Sequence, residues 1–387
     1  MFKNRWLRIS LISALVVVVL AGAGLYTLRG RIPVNIAFAE GSGAITDITL
    51  PPGFSINFYA QGLPGARTMI RTENDTLFVS TRGQGSIYAI PNASAAAQAQ
   101  DAVIVASGLN SPNGIEMIDG SLFVAEIGRV LRYDDIEANL QSPPEPVVVT
   151  DILPEEAHHG WRYMAQGPDD RLYIAVGAPC NVCELTVFFG TISRMNLDGS
   201  EFEVYATGVR NSVGFDWHPE TGDLWFTNNG RDWMGDDLPP DTLHHAPQAG
   251  MHFGFPFCHA GDIPDPDFGS RRDCSEFTPP DAKLTPHGAA LGMEFYEGEM
   301  FPAEYTHQIF IAERGSWNRT VPIGYRVMLA RLDEAGNVLS YEPFAEGWLN
   351  ANGEAWGRPV DIEMLADGSM LVSDDASGTI YRISYTG

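Results

Sequence analysis

The apolar positions of this chain fall in short runs rather than in long helical stripes. The clearest unit is GLNSPNGIEMIDGSLFVAEIGRVLRYD, from Gly108 to Asp134. It reads as three strands, Gly114 to Ile118, Ser121 to Glu126 and Val130 to Tyr133, each apolar over a strand-like length. Asp119-Gly120, between the first two, supplies the left-handed backbone that a tight hairpin needs. Related units are GLPGARTMIRTENDTLFVSTRGQGSIYAI, HHGWRYMAQGPDDRLYIAVGAP with GTISRMNLDG, and GVRNSVGFDWHPETGDLWFTNNG. A diverged one is GAALGMEFYEGEMFPAEYTHQIFIAERG with YRVMLARLDEAG, and the last is EAWGRPVDIEMLADGSMLVSDDASGTIYRISY. One more short strand, such as AVIVAS or FEVYAT, precedes most units.

About six units of four strands, at a period of roughly 45–60 residues, predict an all-β, six-bladed β-propeller. A β-sandwich or paired barrels is the competing all-β arrangement. The propeller is expected over 50–387, with a long insertion at about 231–286 between the fourth and fifth units. Loops of that length on a rigid scaffold are usually functional.

The amino-terminal segment 1–30 has a different pattern. Lys3, Arg5 and Arg8 precede an uncharged run from Ile9 to Leu28, long enough to span a bilayer. Positive charge before the run sends the bulk of the chain across the membrane. We read it as an uncleaved inner-membrane anchor followed by a linker over 31–49. A cleaved signal peptide, with Ala21-Gly22-Ala23 as its processing site, is the alternative. Either reading makes the propeller periplasmic or otherwise extracytoplasmic. Four cysteines then read as two local disulfides, Cys180–Cys183 and Cys258–Cys274. A zinc site would need four ligands at metal spacing, which the second pair lacks.

The chain carries 49 acidic against 24 basic residues, a formal charge of −25, which argues against nucleic acid as a partner. Any cluster of arginines is therefore notable. In a propeller, residues just before the first strand and just after the second strand of every blade converge on one mouth of the central channel. Those positions hold Arg67 and Arg82, Asn113 and Glu126, His159 and Ala178, Arg210-Asn211 and Asn229, Arg314, then Arg358 and Asp375. Five arginines in one ring suggest a polyanionic ligand, since guanidinium forks suit carboxylates. His159 is a candidate general base. His158 is expected to point elsewhere, and Trp161, Trp217 and Trp225 to pack between blades. The loop NNGRDWMGDD, Asn228 to Asp237, could hold Ca²⁺ through backbone carbonyls and aspartates, without EF-hand spacing.

At these residues the sequence resembles a known family. HHGWRYMAQGPDDRLYIAVG, GVRNSVGFDWHPETGDLWFTNNGRD and GRPVDIEMLADGSMLVSDD are similar to motifs of the soluble glucose and aldose sugar dehydrogenases that depend on pyrroloquinoline quinone (PQQ). GAPCN, HFGFPFCH, GSWNR and AWGRPVD resemble the L-sorbosone dehydrogenase branch. The resemblance spans about residues 50–385. It implies a six-bladed propeller with PQQ on its top face and His159 as the base. It implies Arg210, Asn211, Asn229, Arg314 and Arg358 around the cofactor, with Arg210 stabilising charge on the quinone oxygen. It also implies Ca²⁺ on the backbone of Gly230 and Arg231, a sugar or aldehyde substrate, and a quinone or cytochrome as electron acceptor. One departure matters. The glucose-oxidising relatives follow the third hairpin with an aspartate that orients the histidine; here the chain reads Gly177-Ala178-Pro179-Cys180. The base thus lacks that orienting partner, unless Glu126 or a loop carboxylate replaces it. Two other readings are a Ca²⁺-dependent lactonase using Glu126, Asn211 and Asp375, and a non-catalytic exported scaffold.

Overall fold

The structure is a computed structural model and is described for residues 42–81, 83–95, 98 and 102–387. The expected amino-terminal anchor, most of the linker and Arg82 lie outside the described residues. No helix among the described residues is long and apolar enough to cross a membrane.

Six antiparallel sheets of four strands follow one another around a central axis. Blade 1 comprises Ala66–Arg71, Leu77–Thr81, Ile87–Ile90 and Val103–Ala106. Blade 2 comprises Ile115–Ile118, Ser121–Ala125, Val130–Tyr133 and Val147–Thr150. Blade 3 runs through Met164–Gln166, Leu172–Val176, Thr191–Met195 and Glu203–Thr207, with Met251–His252 added in parallel at its outer edge. Blade 4 uses Phe215–Trp217, Leu224–Asn228, Pro240–Ala246 and Ala282–Pro286. Blade 5 uses Ala290–Phe295, Ile309–Glu313, Arg326–Leu332 and Val338–Glu346. Blade 6 takes Pro359–Met364, Met370–Asp374 and Thr379–Tyr385 from the carboxyl end and its outer strand, Phe54–Gln61, from the amino end. Phe54 pairs with Tyr385 and Gln61 with Thr379, so hydrogen bonds between the two ends of the propeller close the ring.

The predicted Asp119-Gly120 turn has both residues at positive φ, 49° and 78°, as a two-residue hairpin requires. The segment 231–286 is not wholly a loop. It contains the third and fourth strands of blade 4, and the true excursion runs between them, over 247–281. Its mixture of Pro, Gly and His masked the strand pattern.

Each seam between neighbouring blades is filled by one apolar cluster. Phe78, Ile115 and Leu131 join blades 1 and 2; Tyr173, Phe215 and Phe226 join blades 3 and 4. Blades 5 and 6 share the largest, around Tyr296, Phe310, Tyr325, Trp348 and Tyr381. Sheets that stack face to face in this way bury both surfaces of every blade. A small seventh cluster, Val213, Leu291 and Val360 with Trp161 against it, sits on the innermost strands and carries the floor of the site described next.

Candidate active site

A cavity of about 200 Å³ opens where the inner ends of the blades converge. His159 and Trp161 reach it from blade 3, Arg210, Asn211 and Asn229 from blade 4, Arg314 from blade 5 and Arg67 from blade 1. Val213 and Leu291 give it an apolar floor. Blade geometry therefore gathers residues 67 to 314, remote in sequence, at one mouth of the channel.

His159 sits at φ 50° on the turn entering blade 3. Its Nδ1–H donates to the carbonyl oxygen of Ala178, 2.8 Å away, on the loop leaving the second strand of the same blade. Nε2 is left with its lone pair. Burial, then the positive Arg210, then His158, push the ring's pKa down to about 2, so the imidazole is neutral. In place of a carboxylate partner the ring has a backbone carbonyl. Glu126 is not that partner: it accepts from the Asn110 amide and from Arg129. His158, as expected, is not among the cavity-lining residues and is exposed. Its ring packs 4.1 Å from that of His159, and its pKa is lowered by burial and by Arg210.

Arg210 is buried and held on every side. Nε donates to the Asn181 carbonyl at 2.9 Å, and Nη2 to Asn181 Oδ1 and to Asp232 Oδ2, each at 2.9 Å. Nη1 donates to the Asn229 carbonyl at 3.2 Å. Asn181 is one of the two residues inside the Cys180–Cys183 disulfide, whose Cα atoms lie 6.2 Å apart. The disulfide thus fixes a short loop that clamps Arg210 with one backbone and one side-chain oxygen. Both expected disulfides are present, the Cys258–Cys274 Cα atoms being 5.3 Å apart within the excursion of blade 4.

From Asp232 the network continues across blades. Asn318 donates through Nδ2 to Asp232 Oδ1 at 2.8 Å and to His287 Nδ1 at 3.3 Å. His287 Nε2–H donates to the carbonyls of Gly235 and Leu238. Asp232, His287 and Asn318 all line the cavity and were not singled out from the sequence. The GSWNR and NNGRD motifs contained two of them, but their pairing is a cross-blade contact.

Arg314 donates through Nε to both oxygens of Asp375 at 3.0 Å. Its two terminal nitrogens have no partner among the described residues. Arg67 is buried, donates to Asp375 and Asn113, and lies 5.0 Å over the Trp161 ring. Trp161, expected to pack between blades, is therefore a cavity wall. Trp225 is fully buried in a seam, and Trp217 packs against Phe215 and Tyr173. Arg358 is not among the cavity-lining residues; its guanidinium stacks 4.9 Å over Tyr325. Among the described residues the cavity thus takes Arg67, Arg210 and Arg314 from that ring, and Asp375 and Asp232 balance much of their charge.

Gly230 lines the cavity and donates its N–H to Asp241 Oδ1 at 2.8 Å. Burial lifts the Asp241 pKa to about 7, against the N–H donors of Gly230 and Ala290. Arg231 turns its side chain away to Asp265 and Asp267. No group of three His, Cys, Asp or Glu side chains among the described residues is placed to hold a metal. The lactonase set is broken as well, because Glu126 and Asp375 are each engaged by cations. Asn211 Oδ1, by contrast, is buried without a partner. Two terminal guanidinium nitrogens of Arg314 without a partner among the described residues and an apolar floor beside an indole fit a planar anionic ligand, while the orphaned Asn211 Oδ1 calls for a donor group on it.

Fold and site together define a class: a six-bladed propeller with a cation-lined cavity and a neutral, carbonyl-anchored histidine at its axis. The TrAA12-like family profile matches residues 48–386, and the chain belongs to that family. A Borreliella burgdorferi protein described as uncharacterized is 30% identical over 351 residues, covering 87% of this chain and 91% of its own length. Among solved structures, the holo PQQ domain of Coprinopsis cinerea pyranose dehydrogenase is 18% identical with TM-score 0.74, covering 87% of this chain and 97% of that one. The family AA12 carbohydrate-active enzyme of Trichoderma reesei is 16% identical in both its iodide and calcium structures, with TM-scores 0.76 and 0.73, 88% of this chain and 98% and 97% of those chains being covered. The PQQ-bound aldose sugar dehydrogenase of Streptomyces coelicolor is 18% identical with TM-score 0.62, covering 87% of this chain and 100% of its own. The last of these is an aldose sugar dehydrogenase, the class whose motifs the sequence resembles, and all of them share the fold.

Proposed function

We propose that this protein is a PQQ-dependent dehydrogenase of a sugar or sugar-derived aldehyde, with sorbosone-like and aldose-like compounds as the substrate class to examine first. The observation that carries this reading is the pairing of His159, its Nε2 free and neutral, with Arg314, whose terminal nitrogens face the same cavity unengaged. PQQ, when bound, supplies a quinone carbonyl that accepts hydride from a carbon bearing a hydroxyl group. Arg314, with Arg67 behind Trp161, would hold the carboxylates of this flat tricarboxylate, and Asn211 Oδ1 would accept from its ring N–H. Arg210, pinned by Asn181 and Asp232, gives a fixed positive charge that favours negative charge at the cofactor. His159 Nε2 takes the hydroxyl proton of the substrate or of an aldehyde hydrate, while the Ala178 carbonyl keeps the ring in its tautomer.

Calcium belongs to the proposal only as an ion bound through the backbone of Gly230 and Arg231, as the family resemblance implies. The calcium form of the Trichoderma reesei neighbour supports testing it. Export, anchoring of the chain at its amino-terminal run and electron transfer to a membrane quinone or periplasmic cytochrome complete the reading.

The test is a PQQ titration of the purified protein with and without Ca²⁺, followed by dye reduction on aldoses, sorbosone and simple aldehydes. Micromolar PQQ binding with sugar-dependent reduction is expected. A protein that binds no PQQ, or that keeps full activity as His159→Ala, overturns the reading.

A further inference from the structure

Two tryptophans stand at the mouth of the cavity where a stable core would hide them. Trp233 is 39% and Trp317 43% exposed, and their rings meet edge to face with centroids 5.6 Å apart. Trp317 lines the cavity and Trp233 lies beyond it, so the aromatic surface runs without a break from the site outward. Trp233 holds φ 72°, a conformation that bulky residues rarely adopt. Backbone strain of this kind persists only where surrounding contacts impose it.

Those contacts are a set of cross-links between the loop joining the second and third strands of blade 4 and the corresponding loop of blade 5. Asn318 bonds Asp232 at 2.8 Å on one side of the aromatic pair. On the other, Arg319 bonds the Asp236 carbonyl and the Thr320 amide bonds Asp236 Oδ1 at 3.0 Å. The wall is therefore built and rigid, and its exposed face is indole flanked by carboxylates and amides. Indole faces and edges pack against the C–H face of a pyranose, while neighbouring polar groups take its hydroxyls.

We propose that Trp317 and Trp233 form a carbohydrate platform outside the cavity. It would bind the second ring of a di- or oligosaccharide whose terminal ring enters the site. The inference rests on the sugar-oxidising reading and narrows its substrate class from free monosaccharides to linked ones.

The probes are maltitol, cellobiitol and glucitol, alditols that lack a reducing end, titrated calorimetrically into the protein with and without PQQ. The expected result is binding of at least one disaccharide alditol to both forms and weaker binding of glucitol. Trp233→Asn, which suits the left-handed backbone, should weaken that disaccharide about ten-fold. Trp233→Phe should restore most of it, and Trp317→Ala should weaken it independently. The proposal is overturned if neither disaccharide alditol binds at millimolar concentration, or if one binds the wild type and both Trp variants equally. Retained alditol binding in a protein that fails to bind PQQ would sink the cofactor reading and leave the platform standing.

Discussion

The Nδ1 of His159 lies 2.8 Å from the carbonyl oxygen of Ala178, where the sequence resemblance led one to look for an aspartate side chain. A carbonyl fixes the tautomer as a carboxylate does, but brings no negative charge to raise the basicity of the ring. With Arg210 nearby, the imidazole is neutral at every ordinary pH. A bound polyanion offsets the Arg210 charge, while the burial that contributes most to the shift remains. His159→Gln should lower kcat by about 10²- to 10⁴-fold while changing PQQ affinity little. Stopped-flow reduction and a separate PQQ titration check the two halves.

Arg314 and Arg358 test which cation holds the cofactor. Arg314 spends only Nε on Asp375, whereas Arg358 stacks on Tyr325 outside the cavity lining. Arg314→Gln should weaken PQQ binding about 10- to 100-fold, the range of one or more charge-assisted hydrogen bonds. Arg358→Gln should change it several-fold at most. The reverse order of effects, read by fluorescence titration, would restore Arg358 to the site.

The Cys180–Cys183 loop should act on turnover more than on stability. It closes a sequence separation of only 3, where loop entropy contributes least. Yet it positions both Asn181 oxygens that hold Arg210. The Cys180→Ser/Cys183→Ser pair should lower kcat about ten-fold, with a change in Tm of a few degrees at most. Asn181→Ala should reproduce the loss in kcat. A large drop in Tm without a change in kcat would contradict the clamp.

Asp241 gives a pH dependence with a definite sign. Burial raises its folded pKa to about 7, above the unfolded carboxylate range. The native state keeps a proton that the unfolded chain has already released. Its stabilising contribution is therefore complete in acid and is lost as pH rises through about 7. Asp241→Asn, neutral throughout, should gain Tm relative to the wild type between pH 5 and pH 8. Ionised Asp241 also adds negative charge to the cavity, so PQQ affinity should fall over the same interval in the wild type and not in the variant. Parallel Tm curves for the two proteins would refute the assignment.

Strand-length apolar runs and turns such as Asp119-Gly120 were enough to specify six blades, because a blade is made of local hairpins. The convergence of His159, Arg210, Asn211 and Arg314 also followed from strand order alone, since a propeller fixes which strand ends face the axis. The third and fourth strands of blade 4 were less legible, because Pro- and His-rich sequence hides alternation. Trp161 was read as packing, and the joint role of Asp232, His287 and Asn318 was not seen, for a different reason. Each owes its role to a partner in another part of the chain, and residue type by itself does not distinguish a packing tryptophan from one that walls a cavity.

Local pattern thus determined the propeller, the two disulfides and the ring of candidate positions, because hairpin geometry and residue spacing are short-range properties. Only the tertiary structure decided which of those side chains are already spent. Arg210 is consumed by Asn181 and Asp232, Glu126 by Arg129 and Asn110, while Arg314 and Nε2 of His159 remain open to a ligand. Hydrogen-bond saturation depends on distances across blades, and no spacing along the chain encodes those distances.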